Sequence, residues 1–124
     1  MKKMIVTLLL GCSMSLSCFA ASSSLKVHNV AEMDQKMELY KRQYIQSRDE
    51  LLKTIDPSAK QITPQQSQRA CHITQIYFNN LYNLMDQNRD LLKPDKRTFT
   101  REQLKAMIST RAGLSLKQLN CNLI

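Results

Sequence analysis

Between Val30 and Thr54, the residues Val30, Met33, Met37, Tyr40, Tyr44, Ser47, Leu51 and Thr54 follow one another at alternating spacings of three and four. Only a helix brings such positions onto one line, so the spacing predicts a helix of about seven turns with a narrow stripe on one side. Asn29 precedes it as the expected N-cap, and Glu32/Lys36, Glu38/Arg42 and Asp49/Lys53 are expected i,i+4 pairs on its outer faces.

Asp56-Pro57 ends this helix, because the residue before a proline is pushed out of the α region. A second helix is predicted from Thr63, with Pro64 at the first helical position, where its missing N–H costs nothing. Its apolar positions run from Ala70 to Leu91 and Leu92 and cover more than one face, as the central element of a core would. Lys93-Pro94-Asp95 breaks it. Thr100 then starts a third helix carrying Leu104, Met107 and Ile108 as far as Arg111, with Gly113 at the left-handed C′ position. The tail has Leu116, Leu119 and Ile124 to bury and predicts a short fourth helix from Ser115. No stretch alternates as a strand does. The expected fold is therefore all-α, a small bundle of three main helices plus a short C-terminal one.

The first residues, MKKMIVTLLLGCSMSLSCFA, set Lys2 and Lys3 before an apolar run too short to span a bilayer, and end on Cys18-Phe19-Ala20. This is the pattern of an export signal over 1–20, followed by a flexible lead over 21–28 and a single helical domain over 29–124, in the periplasm. An alternative is a lipobox in Leu9-Leu10-Gly11-Cys12, which would leave an uncharacterised lipoprotein anchored at Cys12. No transmembrane segment is expected elsewhere. Cleavage leaves two cysteines, Cys71 and Cys121, and an even pair in an oxidising compartment reads as one disulfide. Closing such a loop removes roughly 4 kcal/mol of denatured-state entropy.

Thr63-Pro64-Gln65-Gln66 fits a capping box, in which the Thr63 hydroxyl and the Gln66 side chain satisfy each other's backbone N–H groups. Thr100-Arg101-Glu102-Gln103 repeats it, with Phe99 and Leu104 at the hydrophobic-staple positions. Extended by one residue, Ile62-Thr63-Pro64-Gln65-Gln66 and Phe99-Thr100-Arg101-Glu102-Gln103 resemble the L-T-x-x-Q signature of the periplasmic Spy and CpxP proteins. The resemblance implies a small, exported, helical, Met-rich protein acting as an ATP-independent chaperone or as a regulator of envelope stress signalling. Here Ile62 or Phe99 stands for the Leu, and Cys71 and Cys121 lie outside the pattern.

No constellation for catalysis stands out. Cys71 and His72 are adjacent, so on a helix their side chains diverge by about 100° and neither serves the other. Cys71, His72, Cys121 and His28 lack the spacing of a zinc site, and the carboxylates are scattered. No cofactor or metal is expected. Met33, Met37, Met85 and Met107 are the residue type that builds adaptable binding surfaces, but core filling is the expectation, since two of them fit the seam of the first helix.

The net charge of +8 is unevenly spread. Residues 21–88 hold eight Lys/Arg against seven Asp/Glu, whereas residues 89–124 hold eight against three. Lys93, Lys96, Arg97 and Arg101 crowd the connector and first turn of the third helix, where the helix dipole disfavours cations. They are candidate partner-binding residues for an acidic protein surface or an anionic envelope component. Nucleic acid is not the expected partner, because Phe99 alone supplies no base-stacking platform. The expected function is a non-enzymatic envelope binding protein of the chaperone or stress-adaptor kind, the alternative being an immunity or inhibitor protein that neutralises one dedicated partner.

Overall fold

The computed structural model describes residues 24–111, 119 and 121–124, and each of its three α-helices begins where a side chain takes an otherwise free N–H. Helix α1 (Val30–Leu52) starts at Asn29, whose side chain accepts from the Glu32 N–H at 2.8 Å. Helix α2 (Pro64–Gln87) starts with the expected capping box. The Gln66 N–H donates to Thr63 Oγ1 at 3.1 Å, and the Thr63 N–H donates to Gln66 Oε1 at 2.8 Å. Gln66 Nε2 also donates to Thr54 O, which ties the end of α1 to the start of α2. Helix α3 (Arg101–Arg111) repeats the device, with Gln103 N–H on Thr100 Oγ1 and Thr100 N–H on Gln103 Oε1. Leu104 is buried and Phe99 packs on the same cluster, as a staple does. Among the described residues there is no strand, and no helix is long and apolar enough to cross a membrane. The leader over 1–20, the lipobox at Cys12, Gly113 and the fourth helix from Ser115 lie outside the described residues.

The end of α2 differs from the expected one. The helix stops at Gln87, and Leu91 and Leu92 fall in and after a single 3-10 turn, Arg89–Leu91. The cause is Asn88, which is fully buried. Its carboxamide accepts from the Val27 N–H at 2.9 Å and donates to Leu25 O at 2.8 Å and to Leu84 O at 2.7 Å. A side chain that bonds neighbouring backbone in this way offers the chain an alternative to another helical turn. The same bonds fasten the N-terminal lead. Val27 is buried with Met33 and Leu84, and the Leu25 N–H and Lys26 Nζ reach Gln87. From Leu25 onward, the segment expected to be a loose lead is thus docked on the end of α2.

α2 is the centre of the core, as its pattern predicts. Ala70, Thr74, Phe78, Leu81 and Leu84 are its buried positions, and the Thr74 hydroxyl is satisfied by Ala70 O. Phe78 and Leu81 meet Leu104 and Ile108 of α3, while Ala70 meets Leu51 of α1. Of the α1 stripe, Met33 and Leu51 are buried, and the middle positions are half-buried. Val30 is exposed, since Val27 fills the place beside Met33. The three expected i,i+4 ion pairs do not form. Glu32 turns back to His28, Glu38 pairs with Lys41, and Asp49 pairs with Arg48.

Cys71 and Cys121 form the expected disulfide, with Cα atoms 5.4 Å apart. It pins the tail along α2. Ser67 Oγ donates to Leu119 O, and Gln75 exchanges two hydrogen bonds with the Ile124 backbone. Leu119 and Leu123 are buried, whereas Ile124, expected inside, is exposed. Residues 121–124 have no helical turn, so the burial pattern there does not follow a helical spacing.

Candidate functional site

α1 and α3 each pack on α2 but make little contact with each other. The space between them is a cleft of about 600 Å³. Its floor is the α2 face bearing Tyr77, Leu81 and Met85. One wall is Met37, Tyr44 and Ile45 of α1; the other is Met107, Ile108 and Arg111 of α3. Tyr44 stacks on Tyr77 with ring centroids 4.8 Å apart, which stiffens one end of the floor. Burial raises the Tyr77 hydroxyl above the ordinary phenol value, the neighbouring Tyr44 adding to the effect and Arg111 opposing it. That hydroxyl therefore stays neutral in the physiological range.

Methionine gives the opposite end its character. Met33 is core, at 3% exposure, but Met37 and Met85 are half-buried and Met107 is 38% exposed. Three of the four methionines expected to fill the core thus line an accessible cleft, Met37 and Met85 while also touching the core clusters. Unbranched, polarisable side chains in such a place can repack around differently shaped apolar groups. The rim is charged: Asp34, Glu38, Lys41 and Arg48 follow one another along α1, and Arg111 of α3 acts on Tyr77. This cleft could not be read from spacing alone. The residues of α3 that face it, Met107 and Arg111, come from a helix whose placement on α2 is a tertiary fact. The signal present in the sequence was methionine content.

The four candidate cations of the connector separate into two pairs. Arg97 donates from Nε to Leu92 O at 3.0 Å and from Nη2 to Asp90 O at 3.1 Å, so it closes the connector on itself. Arg101 lies over the rings of Phe78 and Tyr82, 4.6 and 4.7 Å from their centroids, and donates to Asn79 Oδ1 and Ile124 O. Arg89, not among the candidates, does similar work: it bonds Arg97 O and Phe99 O and covers the Phe99 ring. Lys93 and Lys96 remain exposed, Lys96 only 3.9 Å from Asp95. The dipole cost of placing cations at the start of α3 is thus offset inside the fold, by bonds to carbonyls and by aromatic faces.

Thr63, Gln66, Thr100 and Gln103 act as helix caps and lie away from the cleft. Cys71 is bonded to Cys121, His72 is exposed, and His28 is engaged by Glu32 at the other end of the molecule. The atoms considered for a thiolate–imidazole pair or a zinc site are therefore committed or apart. Comparison with family models, with curated proteins and with solved structures gives no match to this chain.

Proposed function

We propose that this chain is an exported, non-enzymatic binding protein of the cell envelope, chaperone-like or adaptor-like, whose cleft between α1 and α3 receives an apolar segment of another protein. One observation carries the reading: an apolar cleft lined by Met37, Met85 and Met107 lies open between two helices that do not close on each other. Helix pairs with such a seam bind apolar side chains by the contact that would otherwise complete a bundle. Export fits the leader-like start and the Cys71–Cys121 bond. The likeness to the Spy and CpxP proteins agrees with the class of function, although its Thr and Gln residues serve here as caps. Lys93 and Lys96 supply a second, electrostatic contact to an acidic protein surface or anionic envelope component.

The test compares aggregation of several unrelated unfolded proteins with and without the mature chain, and repeats it with Met37→Ser and Met107→Ser. Suppression that weakens in both variants supports the reading. Tight capture of one envelope protein without general suppression favours a dedicated inhibitor or immunity protein. Suppression unchanged in both variants removes the cleft from the account.

A further inference from the structure

The rim of the cleft has a polarity that its apolar lining does not explain. Along α1, Asp34 comes first, Glu38 lies between, and Arg48 lies at the other end with Tyr44, whose ring stacks on Tyr77, the residue on which Arg111 acts. Two of these charges are already matched, since Glu38 holds Lys41 at 3.7 Å and Arg48 holds Asp49 at 3.0 Å. Asp34 and Arg111 make no ion pair among the described residues. An open cleft whose two ends carry opposite charges, neither in an ion pair among the described residues, discriminates between occupants by their end charges, because a like charge in contact costs affinity and an opposite one adds to it.

Resting on the reading above, we propose that the occupant is an amphipathic helical segment of a partner protein, basic at the end that meets Asp34 and acidic at the end that meets Arg111. Helical form follows from the shape of the cleft, a groove between two helices over a third, into which a helix lays one apolar face. Its length follows from α1. Asp34, Tyr44 and Arg48 mark out roughly 15–21 Å along the axis at 1.5 Å per residue, which is three to four turns of the occupant. Acidic residues suit the start of a helix and basic ones its end, so the segment runs with its C-terminus at Asp34, in the direction opposite to α1. A single-chain anionic amphiphile is the weaker fit. Its head satisfies Arg111, but its tail offers the Asp34 carboxylate no partner.

The experiment uses the mature chain and three labelled peptides of about 14 residues sharing one leucine face at helical spacing. One has Glu at its first turn and Lys at its last, one has Lys at both, and one has Glu at both. Fluorescence anisotropy at low salt should show the mixed-end peptide binding several-fold more tightly than the other two. In Asp34→Lys, which changes an exposed residue outside the core, the order should move to favour the peptide with Glu at both ends. Thermal unfolding of that variant confirms an intact fold. Equal binding of the three peptides, or an order unchanged in Asp34→Lys, overturns the proposed occupant; if Met107→Ser still weakens all three, the cleft itself stands. Displacement of the peptides by laurate, dependent on Arg111 and indifferent to Asp34→Lys, overturns it in favour of a lipid. Peptides that bind with no response to Met107→Ser or Asp34→Lys remove cleft and occupant together.

Discussion

Asn88 joins two stretches of backbone through one side chain. With no exposure, it accepts one backbone N–H and donates to two carbonyls, so both the end of α2 and the docking of Leu25–Val27 depend on it. Asn88→Ala removes the side-chain partner of two buried backbone groups and one half-buried one and should lower stability by about 2–4 kcal/mol, measured by urea unfolding. Limited proteolysis of that variant should find new cleavage at Lys26. Nothing in the local sequence distinguishes Asn88 from Asn79, Asn80 or Asn83 on the same segment; only the arriving lead does. At the start of α1, Glu32 is held below the ordinary carboxylate range, first by the His28 backbone N–H and then by the His28 side chain. A depressed folded value means that the stability it contributes is fully present above the usual Glu value, about 4.3, and is lost as pH falls through the lower folded value. Glu32→Gln should therefore flatten the acid limb of the stability curve, and an unchanged limb would show that the interaction is idle in solution.

Among elements, the starts were more legible than the ends. Asn29, Thr63 and Thr100 cap α1, α2 and α3 as their residue types require, because capping is local chemistry fixed within four residues. The α2 end was misplaced by the apolar run through Leu91 and Leu92, which pack beside Val27, Met33 and Leu84 without being helical continuations of α2. Ion pairs were equally hard to read. Helical spacing allows Glu38 both Lys41 and Arg42, and long side chains settle the choice by small differences. The Cys71–Cys121 link was legible from the even pair of cysteines beyond residue 20. Its structural effect is to hold Leu119 and Leu123 against α2 and the neighbouring helices across a separation of 50 residues. Non-reducing mass spectrometry of exported protein should show this pair oxidised. Replacing both cysteines by Ser should lower stability by roughly 2–4 kcal/mol while leaving helical circular dichroism largely intact.

Over the whole molecule, charge and apolar surface are placed on different parts. The connector after α2 is basic in sequence, but Arg97 and Arg101 are drawn into carbonyl and aromatic contacts, leaving Lys93 and Lys96 to face outward. Lys93→Gln with Lys96→Gln should keep the thermal midpoint within a few degrees and slow association with an acidic partner several-fold at low salt, an effect that fades at physiological ionic strength, where screening acts over about 8 Å. Arg97→Gln, by contrast, should lower the midpoint, since it removes two bonds that close the connector. The cleft between α1 and α3 remains the centre of the account, and the methionines provide its direct test. Beyond residue 20 the sequence has four: Met37, Met85 and Met107 at the cleft, and Met33 in the core as an internal reference. With the methionine methyl groups labelled with carbon-13, an unfolded client or envelope partner is titrated into the mature protein and the four methyl resonances are followed. The account predicts that Met37, Met85 and Met107 shift together in proportion to the bound fraction while buried Met33 shifts least; bound partner with all four resonances unmoved would contradict it.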